Sequence, residues 1–116
     1  MRFTILLTII TLLLFSAFGI NRVHIQKHFA EKAFEKYIAE QGISVSNIER
    51  KEMKWDDRRK SYTVMVHYKD DPGLRYDYRH NKFMKRSIKL VVSQSDEFND
   101  EPVTPIEKGM KYPPLD

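Results

Sequence analysis

From Phe3 to Ile20 the chain reads FTILLTIITLLLFSAFGI, 18 residues without a charge. As a helix rising about 1.5 Å per residue, such a run covers roughly 27 Å, close to the hydrocarbon thickness of a bilayer. Thr4, Thr8, Thr11 and Ser16 suit that setting, because helical hydroxyls donate back to carbonyls one turn earlier. A transmembrane helix is therefore expected over residues 1–21. The competing expectation is a cleavable signal peptide, whose apolar core is about 7–15 residues long and ends at a small-x-small site. Ala17-Phe18-Gly19 is a poor version of that site and the apolar run continues through Ile20. Retention is the expectation.

Two charge patterns bear on orientation. Arg2 stands directly before the apolar run, as in a secretory signal, and this directs the rest of the chain out of the cytoplasm. Arg22, Lys27, Lys32 and Lys36 follow the run and argue for the cytoplasmic side by the positive-inside rule. An extracytoplasmic domain at the cell membrane is expected, with the cytoplasm-facing arrangement as its alternative.

Residues 22–93 read as one small α+β domain. Ala30, Ala33, Phe34, Tyr37 and Ile38 fall on one stripe of an amphipathic helix. Glu31, Lys32, Glu35, Lys36 and Glu40 take the opposite face, where Lys27–Glu31 and Lys36–Glu40 are spaced for pairing. Gly42 is placed for a left-handed helix cap with Ile43 packing back. No proline separates this helix from the apolar run, so the two can be continuous. Beyond Gly42 the period changes to two. Ile43, Val45, Met53 and Trp55 suggest a long or bulged strand, and Asp56 to Lys60 a hydrophilic turn. Tyr62, Val64, Val66 and Tyr68 line one face of a second strand. Lys69 to Gly73 is a turn by its Asp, Pro and Gly content. Leu74, Tyr76 and Tyr78 make a third strand; Ile88, Leu90 and Val92 make a fourth. The predicted fold is an N-terminal transmembrane helix followed by an amphipathic helix packed on a four-stranded antiparallel sheet.

Residues 94–116 carry six acidic and two basic residues, net −4, against +8 on the remainder. With Pro102, Pro105, Pro113 and Pro114 and few aliphatics, this stretch reads as a disordered acidic tail. The cationic remainder would be drawn to anionic headgroups or polyanionic wall polymers.

Candidate chemistry is sparse. The absence of cysteine excludes a disulfide framework, a zinc–thiolate site and a cysteine nucleophile. His24 and His28 share a helix face, but the glutamate base of a zinc-helix motif and a third ligand are both missing. Interfacial histidines explain the pair better, so no metal and no cofactor are expected. Asp56/Asp57 and Asp70/Asp71 fall in turns, where water keeps paired carboxyls alike and unsuited to acid–base division of labour. The serines lack a nucleophile elbow, and four glycines make no phosphate loop. The most distinctive stretch is Arg75-Tyr76-Asp77-Tyr78-Arg79. Arg75, Tyr76, Tyr78 and Arg79 are the candidate interaction residues, with aromatics for stacking and arginines for anions. The plainer reading makes the tyrosines core and the charges the solvated face of a half-buried sheet. Too few basic and aromatic groups share a face for a nucleic-acid module.

The short apolar N-terminus, Tyr37-Ile38-Ala39-Glu40-Gln41-Gly42-Ile43 and Asp71-Pro72-Gly73-Leu74-Arg75-Tyr76-Asp77-Tyr78 together resemble small membrane-anchored proteins of Bacillus-type bacteria. These are grouped as domain of unknown function 3139, and the likeness covers roughly residues 1–92. The resemblance implies a bacterial, membrane-associated protein and brings no catalytic residues to transfer. The functional expectation is a non-enzymatic interaction module whose partners are membrane lipid and another membrane or cell-envelope component. A cytoplasm-facing accessory subunit of a larger membrane protein is the alternative, and a metal-assisted hydrolase using His24 and His28 stands behind both.

Overall fold

The computed structural model describes residues 2–98 and 104–115, those at 17–23 by backbone alone. In order along the chain come helix α1 (Arg2–Glu40), a 3-10 turn (Val45–Asn47) and strands β1 (Ile48–Asp56), β2 (Ser61–Tyr68), β3 (Leu74–His80) and β4 (Ile88–Gln94).

Helix α1 joins two chemically different segments without a break. Its first turns are apolar on every face, and Phe3, Leu6, Leu13 and Phe15 are all more than half exposed. Thr8, Thr11 and Ser16 donate to the carbonyls of Thr4, Leu7 and Leu12 at 2.8–2.9 Å, as expected. Among the described residues, however, no helix is long and apolar enough to cross a membrane. This corrects the transmembrane helix expected over 1–21. The Ala17-Phe18-Gly19 site weighed for cleavage lies outside the described side chains.

Farther along α1, Ala30, Phe34, Tyr37 and Ile38 are each at most 2% exposed. The helix stops as its sequence directs. Ile43 N donates to Ile38 O at 2.9 Å and Gly42 N to Ala39 O at 3.1 Å, a paired cap that requires the positive φ of Gly42 (76°). Glu31 and Glu40 reach across to Lys51 (3.2 Å) and Arg86 (2.7 Å), fastening the helix to the sheet rather than to its own neighbours.

The strands form an antiparallel meander in the order β1-β2-β3-β4. Val64, Val66, Tyr68, Tyr76, Tyr78, Ile88, Leu90 and Val92 share one core with Phe34, Tyr37 and Ile38, so the period-two pattern holds on this face. β1 begins at Ile48, later than its sequence suggests. Ser44 and Ser46 prefer local bonds, the Ser44 hydroxyl capping the 3-10 turn, and a bulge between Ile48 and Arg50 follows.

The other face of the sheet is the surprise. Thr63, Met65, Arg75, Asp77 and Ser93 are buried there, where a solvated face was expected. The chain leaving β4 turns back over them. His67 Nε2 bonds Ser95 O at 3.0 Å, Arg75 Nη1 donates to Glu97 O at 3.2 Å, and Lys54 Nζ donates to Phe98 O at 2.6 Å. Phe98 is 7% exposed, packed on His67 and beneath the Arg50 guanidinium.

Residues 94–116, expected as a disordered tail, therefore contribute to the fold where they are described. Ile106 N donates to Val92 O at 2.8 Å, Ser93 bridges Pro105, and Ile106, Met110, Tyr112 and Leu115 pack against the core. The physical reason is that the tail fills polar vacancies of the core, described below.

Gly42→Ala tests the helix stop. Nothing lies within 4 Å of the added methyl, so the cost is the left-handed backbone itself, about 1 kcal/mol. Thermal unfolding should show a midpoint about 4–8 °C lower; an unchanged midpoint would remove the cap from the account.

Candidate functional site

Strand β3 alternates across the sheet, and its fate on each side decides the expected recognition face. Tyr76 and Tyr78 are fully buried under α1. Tyr78 donates to Gln41 Oε1 at 3.0 Å and meets the Tyr68 hydroxyl at 2.7 Å; Tyr76 donates to Asp71 Oδ2. On the reverse face Arg75 grips Asp77 with two bonds of 2.9 Å, and both side chains are at most 4% exposed. Burial pushes the Asp77 carboxyl up, and Arg75 partly offsets the shift. Of the four candidate residues, Arg79 alone is half-exposed. No recognition face is formed by Arg75, Tyr76 and Tyr78.

The buried phenols hold the tail instead. Tyr37 Oη accepts from Leu115 N at 2.7 Å, and Tyr76 Oη from Tyr112 N at 3.2 Å. Gln41 Nε2 donates to the carbonyls of Tyr112 and Pro113 at 3.3 and 3.1 Å. Beyond them, Asp70 takes bonds from Lys111 Nζ (2.7 Å), Tyr112 and Asn47 Nδ2 (2.7 Å), and Asp71 accepts from Lys111 N at 3.0 Å. Lys111 and then Tyr112 hold the Asp70 carboxyl far below its ordinary range. Burial drives the phenols of Tyr68, Tyr76 and Tyr78 well above theirs, so they stay neutral. The Asp70/Asp71 pair is thus a clasp, not an acid–base dyad.

The candidate site lies at the opposite end of the sheet. There the β1–β2 turn, the β3–β4 turn and the 25–36 segment of α1 enclose an open groove of about 1040 Å³. Among the described residues, nine Lys or Arg side chains and no Asp or Glu line it, including Lys32, Lys36, Arg59, Arg79, Lys82 and Lys85. Asp56 and Asp57 pair with two of these cations, Arg59 at 3.4 Å and Lys60 at 3.5 Å. Asp56 accepts from the backbone of Arg58 and Arg59 at 3.0 and 3.3 Å, and Asp57 accepts from Trp55 Nε1 at 3.0 Å. Burial, then the neighbouring Arg59 charge, pull Arg79 below its ordinary value; burial lowers His80 also. Cations crowded in this way favour an anion with several oxygens. Phe29 and Phe83, 56% and 88% exposed, stand at the rim.

This groove was not foreseen as a unit. Asp56 to Lys60 reads as a plain hydrophilic turn, and Asn81-Lys82 only as the start of a short connection. The available signal was Lys82-Phe83-Met84-Lys85-Arg86, basic residues interleaved with large apolar ones. A meander brings its first and third turns to one end of the sheet, which unites two separated basic runs.

His24 and His28 are exposed on α1, and the described residues include no group of three or more His, Cys, Asp or Glu able to hold a metal. Ser93 Oγ is buried, and among the described residues it has no hydrogen-bond partner and so no base beside it.

A sequence model of one family matches residues 1–78, two thirds of the chain, from the start of α1 into β3. The chain belongs to that family, described as a protein of unknown function (DUF3139). No curated protein and no solved structure matches it. The family match takes in the α1 and β1–β2 sides of the groove and stops before the β3–β4 turn.

Two expectations follow from this geometry. Arg75→Met leaves Asp77 buried without its partner and should cost about 3 kcal/mol in denaturant unfolding. Adding Asp77→Leu to it should recover most of that loss, whereas a recognition role would leave stability unmoved by either change. Asp70 gives a pH dependence. Its folded-state pKa is depressed, so its contribution is present above the ordinary value of 3.8 and is lost as pH falls below it. Protection factors of the Tyr112 and Leu115 amides, which allow for the intrinsic slowing of exchange in acid, should fall on acidification more steeply in the native chain than in Asp70→Asn. Parallel acid profiles would exclude the clasp.

Proposed function

We propose that the chain is a membrane-attached, extracytoplasmic interaction module of Bacillus-type bacteria that contributes binding rather than catalysis. The observation that carries this reading is the cationic groove set on a helix whose N-terminal turns are apolar all round and exposed. Ten large apolar side chains between Phe3 and Phe15 stand in solvent. Moving them into an apolar medium is favourable by on the order of 20 kcal/mol. A helix apolar on every face otherwise belongs inside a core, and none of the described residues covers this one.

The division of labour follows from magnitudes. A base near an anionic leaflet contributes about 1 kcal/mol, so even the whole groove is weaker than the apolar segment. The segment supplies attachment, and the groove supplies orientation and partner choice among membrane lipid and cell-envelope components. Arg2 ahead of the apolar turns supports the outward arrangement. Arg22, Lys27, Lys32 and Lys36 favour the second reading, a cytoplasm-facing accessory subunit.

Sedimentation of the full chain from lysed cells tests attachment. It should follow membranes through a high-salt wash, and a Leu6→Lys, Leu13→Lys variant should move to the supernatant. A native chain found in the supernatant would end the reading. Protease added to intact cells should digest the domain; digestion confined to lysed cells selects the accessory-subunit reading.

A further inference from the structure

The cationic groove and the turn between β3 and β4 share a direction, and that direction points along α1 toward its apolar turns. The wall of the groove on α1 begins at Ile25 and Gln26. Five residues separate Ile25 from the last apolar position of the run, Ile20, which is about 7.5 Å of helix. A headgroup layer is roughly 5–8 Å deep on each side of the hydrocarbon. The groove therefore lies within about one headgroup depth of any lipid surface that receives the apolar turns. The screening length at physiological salt is about 8 Å, so its charges are felt there.

The turn itself is built to present one side chain. Asn81 N donates to Ser87 O at 2.9 Å, Met84 N to Asn81 O at 3.1 Å and Ser87 N to Met84 O at 3.0 Å. Asn81 Oδ1 accepts from Phe83 N at 3.0 Å. Four bonds thus fix a loop whose tip, Phe83, is 88% exposed, with Lys82 Nζ 5.4 Å from its ring centre. Phe29 and Ile25 on α1 are also half or more exposed beside the groove. A soluble polyanion would reward the lysines and leave these apolar tips in water. An acidic bilayer surface rewards both, because amphipathic groups place charges among headgroups and rings below them.

We propose that this end of the domain docks on the headgroup layer of an anionic bilayer, with Lys82, Lys85, Arg59 and Arg79 among the phosphates and Phe83 and Phe29 beneath them. The proposal deepens the reading of a membrane-attached module and depends on it. Docking turns a tethered domain into one held flat against its membrane in a single orientation.

The absence of cysteine makes the test direct. Full-length Phe83→Cys and, as a control at the far end of the domain, Ser46→Cys are labelled with an environment-sensitive fluorophore. Each is reconstituted into vesicles of phosphatidylcholine alone or phosphatidylcholine with an equal amount of phosphatidylglycerol. At position 83 the emission should shift to the blue and resist quenching by acrylamide in the anionic vesicles; the control should stay exposed in both. Lys82→Glu with Lys85→Glu should lower the docked-to-undocked ratio about 25-fold or more, about fivefold for each charge lost. A probe at 83 equally exposed in both vesicles overturns docking. So does protection in neutral vesicles on adding inorganic phosphate or an RNA oligonucleotide, which would assign the groove to a soluble polyanion. Failure of the underlying reading looks different: the labelled chain would then not float with either vesicle.

Discussion

Covering two faces of one sheet with a single helix is the constraint that organises this domain. The four strands are patterned strongly on one side, and Ala30, Phe34, Tyr37 and Ile38 of α1 are spaced to close it. The reverse side carries Thr63, Met65, Arg75, Asp77 and Ser93, and among the described residues no second helix meets it. The chain solves this by turning back after β4 and laying Ser95 to Phe98 across the strands. A buried Arg–Asp pair is an expensive way to fill such a face, because desolvating two charges offsets much of their attraction. Here the guanidinium also bonds the Glu97 carbonyl, so the pair fastens the cover as well as neutralising itself.

The same economy explains the tail. Tyrosine at 37 and 76 gives the core the bulk of a phenylalanine plus a hydroxyl that must be satisfied when buried. Residues 111–115 satisfy them with backbone amides, and Gln41 at the helix stop takes two tail carbonyls in return. A Pro-rich strap suits this role, since proline removes donors that would otherwise need partners and keeps the strap extended. Composition alone points to disorder in such a segment. What orders it is a set of polar vacancies spread over three distant elements, and those are not visible along the chain.

This separates what the sequence made legible from what it did not. The period of α1, the cap at Gly42 and the alternation of β2, β3 and β4 are local, and each matches the structure residue for residue. The β1 start moved because Ser44 and Ser46 found bonds closer to home than a ladder could offer. Arg75 and Asp77 read as solvated because charge predicts exposure, and only the fold-back of Phe98 reverses that. Tyr76 and Tyr78, taken as recognition candidates, are core; Arg79 alone reaches the groove. The apolar N-terminus was plain to see, yet among the described residues no helix is long and apolar enough to cross a membrane. The groove escaped notice because its parts are separated in sequence and joined only by the order of the meander.

Net charge conceals the last feature that matters. The chain totals +4, a modest value for its size. Its distribution is polar along the sheet: the turns at 56–60 and 81–87 form the basic groove, while Asp70, Asp71, Asp96 and Glu97 belong to the turns at the other end. Asp96 lies within reach of Gly73, and Asp70 and Asp71 clasp the tail. Two effects then act in the same sense on a domain carried at a negatively charged surface. The basic end is attracted and the acidic end repelled, so the torque comes from the difference between the ends rather than from their sum. The tail's described clasp lies at the end remote from the groove, where Asp70 and Asp71 hold it. The groove's bases are therefore offset only in part by their own chain, Arg59 by Asp56, Lys60 by Asp57 and Arg86 by Glu40, and the end keeps an excess of positive charge.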